Sequence, residues 1–238
     1  MTDAAPALPS KPTLRALLTV WGVGAAMVTA ASIYCLDVPL ALFFQQFRES
    51  WWWLFFYGIT DFANGGIWYP LAVVGLIAAY VRHKRRLPNP AAFARETRAW
   101  LFMIVTMASS GTFINAVKLV IGRERPRFLF NDGTADFHPF TFELALKYSS
   151  FPSGHTQSIW TAMLCLAFIA PPLRPLLFAV AVLVSASRVV IGAHYAGDVF
   201  ASIYIAFFAA LLWRQWFEKD GVSVMLWRGR DAAPRLAA

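Results

Sequence analysis

Three short groups of residues carry side chains suited to holding and moving phosphate. Lys118 stands seven residues before Arg125-Pro126. Pro152-Ser153-Gly154-His155 opens an apolar run. Ser187-Arg188 is followed by His194 and Asp198. A lysine and two arginines supply cationic donors for phosphate oxygens, the arginines as planar forks. Ser153 is a good helix cap, and Gly154 leaves the backbone open to a ligand. The first N–H groups of a helix have no internal partner and attract anions. His194 and Asp198 are four apart, so one helical turn sets the carboxylate beside the imidazole, where it orients the ring and stabilises its charged form. Two histidines in different surroundings can divide attack and protonation between them. The expected site is therefore a phosphate clamp of Lys118, Arg125, Ser153, Gly154 and Arg188. His194 attacks phosphorus, and His155 gives its proton to the leaving oxygen. Most of the rate should come from the clamp, because phosphoryl transfer is chiefly a matter of stabilising charge on oxygen.

These groups can act together only if the chain brings them to one place. The chain of 238 residues is 58% hydrophobic and only 14% charged, against about 25% charged in an ordinary soluble domain. The predicted fold class is all-α, a polytopic membrane bundle of about six spans with short interfacial helices. The spans are read at 14–36, 67–81, 99–121, 153–170, 176–191 and 198–213. The broken aromatic stretch 37–66 suits segments lying in the membrane interface, where Trp and Tyr collect. Residues 14–216 form one domain between two cytoplasmic tails, 1–13 and 217–238.

The net charge of +8 is read as basic residues holding cytoplasmic loops, not as a nucleic-acid surface. That places both termini, 82–98 and 171–175 in the cytoplasm, and 37–66, 122–152 and 192–197 outside. Lys118, Arg123, Arg125, Arg127 and Arg188 then sit at the outer ends of spans, where a charge is costly and calls for a function. Cys35 and Cys165 lie in apolar runs and are read as buried fillers. No carboxylate and histidine cluster shows metal-ligand spacing.

The three groups, Lys118-x6-Arg125-Pro126, Pro152-Ser153-Gly154-His155 and Ser187-Arg188-x5-His194-x3-Asp198, resemble the signatures of the type 2 phosphatidic acid phosphatase and vanadium haloperoxidase superfamily. Every fixed position matches, and the likeness runs over about residues 50–215. It implies a six-helix membrane phosphatase that works without a metal or other cofactor. It also implies a phosphohistidine on His194, with His155 acting as acid and then as base. The implied substrate is a lipid phosphomonoester or pyrophosphate reached from the bilayer at the periplasmic face of a bacterial inner membrane. Lipid A, undecaprenyl pyrophosphate and phosphatidylglycerophosphate phosphatases all carry such signatures, and the arginine-rich 123–127 stretch inclines the choice towards lipid A. A lipid phosphotransferase would share the signatures and differ only in the acceptor. The spans speak against a haloperoxidase, whose soluble relatives lack them, and the intact His194, His155 and Asp198 speak against a transporter or scaffold.

Other residues carry weaker expectations. Arg123 and Arg127 are candidates for a second phosphate or an anionic headgroup, unless Glu124 simply neutralises one of them. Lys147 and Asn115 are candidate supports of the site. His138 reads as a packing residue of its loop. The aromatic residues at 128–130 and 137–142 either rest on the lipid surface or close the loop as a small core. Oligomeric state leaves no mark in the sequence.

Overall fold

The computed structural model describes residues 14–85, 89–142 and 145–227, with side chains from Thr19 onward. The helices are α1 (Leu14–Cys35), α2 (Asp37–Gln45), α3 (Trp51–Ile59), α4 (Gly65–Arg85), α5 (Pro90–Ile121), α6 (Pro126–Asp132), α7 (Gly154–Ile169), α8 (Arg174–Val190) and α9 (Ala196–Phe217). Short 3₁₀ turns occupy Thr60–Ala63 and Pro171–Leu173. The described residues contain no strand, only isolated bridges from Arg123 to Phe137 and Ser149. The all-α membrane bundle is as expected.

Helix α7 is the hub. It lies against α4, α5, α8 and α9, and 11 of its 16 residues are buried. Its apolar side chains join Phe102, Met103 and Met107 of α5 and Ala206 and Ala210 of α9 in one core. Lipid chains are as apolar as leucine, so helices in a membrane are joined by close packing and by polar contacts across the interface. Both occur here. Gln157 donates to Ser110 Oγ at 2.6 Å, and Trp160 Nε1 donates to Ser185 Oγ at 2.9 Å. Gly75 lets α4 approach so closely that an added Cβ would stand 2.2 Å from Trp100. Large apolar side chains such as Trp21, Met27, Val74 and Ile77 point outward, as a lipid-facing rim should.

Four segments are long and apolar enough to cross a membrane: Gly65–Arg85, Pro90–Ile121, Pro171–Val190 and Ala196–Phe217. Thr19–Cys35 and Asp37–Gln45 pass together as a pair bent by 55°, which makes up to five among the described residues. The expected span at 153–170 is α7. At 16 residues it measures about 24 Å, short of the ~30 Å hydrocarbon core. It is walled by other helices and need not match the lipid. The chain is a multi-pass membrane protein all the same.

Two further boundaries differ from expectation. The stretch up to residue 98 was expected to be a loop, yet α5 begins at Pro90 and runs for 32 residues. Asn89 caps it by accepting from Ala92 N at 3.0 Å, and proline at the first helical position costs nothing there. The C-terminal tail does not leave the bundle at 217. Val224 is buried, and Leu226 N donates to Ile169 O at 2.9 Å. The tail segments 1–13 and 228–238 lie outside the described residues.

Candidate active site

Lys118 lies in the last turn of α5, which Gly122 closes in the left-handed region at φ +58. No other residue fits there, because a Cβ would meet His138 O at 2.0 Å. The chain then runs extended between two loop segments. Glu124 N donates to Asp136 O at 3.0 Å, Arg125 N to Lys147 O at 3.2 Å, and Ser150 N to Arg123 O at 3.0 Å. Pro126 starts α6. Lys118 and Arg125 thereby converge on one residue. The Lys118 ammonium donates to the Ser149 carbonyl, and Arg125 donates to Ser149 Oγ at 3.4 Å.

Ser153 caps α7, its Oγ accepting from Thr156 N at 3.3 Å. Its own N–H donates to Asp198 O at 3.2 Å, so the start of α7 is tied to the start of α9. The N–H groups of Gly154 and His155 make no hydrogen bond among the described residues. A Cβ added at Gly154 would meet nothing within 4 Å. Packing therefore does not demand this glycine. The His155 imidazole is likewise without a hydrogen bond among the described residues, and lies within electrostatic reach of Arg188, Arg125, Asp61 and Lys118.

At the end of α8, Arg188 donates to Thr60 Oγ1 at 2.6 Å. Its backbone oxygen accepts from Ala193 N and His194 N, both at 3.0 Å. The buried His194 has Nδ1 at 2.8 Å from Ser150 O and at 3.5 Å from Asp198 Oδ2. A carbonyl only accepts, so Nδ1 carries the hydrogen and Nε2 carries the lone pair. Burial above all, together with Arg125 and Lys118, pushes the His194 imidazole well below its ordinary range, against the pull of the Asp198 carboxylate. The ring is neutral at neutral pH.

Asp198 is itself held on every side. It accepts from Ser150 Oγ at 2.6 Å, from Tyr195 N at 2.9 Å and from Arg123 at 2.7 Å. The other arm of Arg123 lies 2.8 Å from Asp37 Oδ2. Asp37 also accepts from Ser32 Oγ at 2.9 Å and from Gly197 N at 2.8 Å. The guanidinium is stacked by Tyr195 and Phe137, at 4.2 and 4.9 Å from their ring centroids.

Arg123 is thus the correction to the expected headgroup pair. It is 2% exposed and its two terminal nitrogens are paired with carboxylates, so it is turned to the interior and not to a lipid. Arg127 is exposed at the rim, above the Phe128 ring. Nor does Glu124 neutralise either arginine. Its Oε1 lies 3.2 Å from Lys147 Nζ and 3.3 Å from His138 Nε2, which also gives His138 a polar partner beyond packing. Folding brings Glu124, Asp136 and His138 together with ligand-type atoms within 4.8 Å of one another, a grouping that sequence spacing does not show. The Lys147 ammonium already stands as the cation beside it. Asp37, Thr60, Asp61, Ser149 and Ser150 carry no sequence signature. The one hint for Asp37 is a carboxylate set at the break of an apolar run, where charge is expensive.

The site as built has a surplus of positive charge. Lys118, Arg125 and Arg188 gather about the two histidines. The Nε atoms of Arg125 and Arg188 are buried without a partner, a costly condition for a cation's donor unless an anion completes it. Such a cluster suits a tetrahedral oxyanion beside an imidazole nitrogen.

Comparison with known proteins points the same way. The family model described as the PAP2 superfamily matches residues 99–221. A lipid A 1-phosphatase of Rhizobium etli is 33% identical over 116 residues, covering 48% of this chain and 49% of that protein. A lipid A 1-phosphatase of Rhizobium johnstonii is 32% identical over 126 residues, covering 52% and 51%. The chain spans about half the length of these curated relatives. The crystal structure of a transmembrane PAP2 type phosphatidylglycerolphosphate phosphatase from Bacillus subtilis superposes with a TM-score of 0.61 at 21% identity. It covers 85% of this chain and 96% of that one, and shares the fold. Asp37 and Thr60 fall outside the segment that the family model matches.

Asp37→Ala should leave one arm of Arg123 and the Gly197 N–H unpaired in the interior. Breaking a buried pair in this way costs about 3–5 kcal/mol. A clear fall in melting temperature in detergent is expected, and an unchanged melt would mean that the Asp37–Arg123 contact does not stabilise the bundle.

Proposed function

The chain belongs to the PAP2 superfamily, and from the chemistry of its site we propose that it is an integral membrane lipid phosphatase. The observation that carries the proposal is the gathering of Arg125 and Arg188, each with a buried, unpartnered Nε, about a histidine whose Nδ1 is already committed to Ser150 O. In the proposed reaction Lys118, Arg125, Arg188, the Ser153 hydroxyl and the Gly154 N–H hold the phosphate oxygens. His194 Nε2 attacks phosphorus, and the bond to the leaving oxygen breaks. His155 supplies the proton that the leaving oxygen needs. The same imidazole, now a base, then takes a proton from water as it displaces phosphate from His194. Asp198 and Ser150 hold the nucleophile's tautomer, and Asp198 offsets the positive charge that develops on the ring. These steps use only groups of this chain.

The likeness to lipid A 1-phosphatases supports a phosphorylated glycolipid as substrate, released as the free alcohol and inorganic phosphate. Transfer of the phosphoryl group to a second lipid would use the same intermediate. Product analysis separates the two.

The proposed orientation puts the site at the periplasmic face of the bacterial inner membrane, with both termini in the cytoplasm. Helix α5, of 32 residues, is about 48 Å long. It carries Arg95 and Arg98 near one end and Lys118 at the other, so the basic loops and the clamp lie on opposite sides.

Purified protein should release inorganic phosphate from members of a panel of lipid phosphates, with EDTA present throughout. His194→Ala should cut this by about 10⁴-fold or more without lowering the melting temperature. Turnover near wild type would remove His194 from the mechanism. Gly154→Leu should also keep its melting temperature, because the space there is open, yet lose about 100-fold or more in rate. Normal rates would mean that the α7 start does not face the phosphate. A reporter fused near residue 90 should remain cytoplasmic and one near 135 should be exported. The reverse pattern would invert the topology.

A further inference from the structure

A second cavity, of about 200 Å³, opens beside the candidate site. Gln45 and Arg48 reach it from the end of α2, Trp53 and Tyr57 from α3, and Arg127 and Phe130 from α6. The Trp53 and Tyr57 rings are stacked at 5.3 Å and 15°. Arg48 and Arg127 form no ion pair among the described residues, and both are exposed. Two unneutralised forked cations over an aromatic wall suit an anionic group carried on a ring.

The cavity's position is fixed relative to the clamp. Arg127 is two residues from Arg125 and acts on it electrostatically. Gly192, also in the wall, is two residues from His194. At Gly192 φ is +68, and a Cβ would stand 2.9 Å from Phe130, so α6 sits directly on the turn that carries His194. Through Arg127 and Gly192 the cavity shares its wall with the segments that carry Arg125 and His194. At this volume it is smaller than the roughly 300–1,000 Å³ that receives a whole ligand, as befits a subsite.

We propose that this cavity is a second anion subsite, which receives a further negatively charged group on the same lipid headgroup and so selects multiply charged, ring-bearing headgroups over single phosphomonoesters. The inference rests on the lipid phosphatase reading of the neighbouring site. Four of the lining residues, Gln45, Arg48, Trp53 and Tyr57, precede the segment that the family model matches. This wall is therefore where the chain can set its own substrate preference.

The test compares the wild type with Arg48→Gln/Arg127→Gln on two lipids in neutral detergent, phosphatidic acid and a bis-phosphorylated disaccharide lipid, measuring both turnover and equilibrium binding. The ratio of kcat/KM for the disaccharide lipid over phosphatidic acid should fall about tenfold, through KM, with a matching fall in the ratio of binding constants. An unchanged ratio would overturn the subsite, whether both lipids weaken together or neither does. A defect on phosphatidic acid that appears only when phosphatidylglycerol is added would assign the cavity to a neighbouring lipid and overturn the link to the substrate. If the wild type hydrolyses neither lipid, the phosphatase reading fails, and the binding ratio still decides the subsite. Melting curves of each single variant establish that the fold is intact.

Discussion

Arg123 is the largest fully buried side chain among the described residues, and it divides its guanidinium between Asp198 and Asp37. A cation at this depth is tolerable only with its partners in place. Each partner in turn organises something else. Asp198 receives Ser150, the Tyr195 N–H and the His194 ring. Asp37 receives the Gly197 N–H and Ser32, joining the first helix pair to the start of α9. One ion cluster therefore couples α1, α2, the 122–125 segment, the 149–150 segment and α9. His194 gains its orientation at the end of that chain of contacts, and its Nδ1 is committed before any substrate arrives.

The neighbouring half of the site is arranged in the opposite sense. Around Arg123 each charge has a counter-charge in contact, whereas Lys118, Arg125 and Arg188 have dipolar partners, Ser149 and Thr60, and only the more distant carboxylates of Asp198 and Asp61. Three cations held close together repel one another, and the repulsion is relieved when a dianion enters. In the proposed reaction this surplus draws in the phosphate, and draws harder as charge builds on its oxygens during transfer. The balanced cluster supplies rigidity and the unbalanced one supplies the pull on the substrate. They meet at His194, between Asp198 on one side and the clamp on the other.

Much of this was readable in the sequence, for a physical reason. A phosphate site calls for particular residue types at particular helix ends, so the proposed site residues Lys118, Arg125, Ser153, Gly154, Arg188, His155, His194 and Asp198 leave a pattern in the sequence. Residues that hold those groups leave none. The Ser150 carbonyl beside His194 belongs to a backbone that any sequence would offer, and Asp37 meets Arg123 across 86 positions of chain. Arg123 was misread because charge at a span end suggests contact with lipid, while its burial depends on a carboxylate supplied from far away. The start of α5 was within reach, since Asn89-Pro90 is a helix-initiating pair, but two nearby prolines suggested a loop. Helix α7 was read as a span from its apolar run, like the others. Its short length and its central burial follow from the helices around it, which local hydropathy does not register.

The central claim is that the oriented, neutral His194 takes the phosphoryl group on Nε2. The most direct measurement is rapid quenching of the purified protein with a lipid substrate labelled in its phosphate, followed by mapping of the labelled peptide. The account predicts an acid-labile, base-stable phosphate on the peptide that contains His194, formed and lost at rates that fit turnover. Turnover with no protein-bound phosphate at any time, or with the label on a different residue, would contradict it.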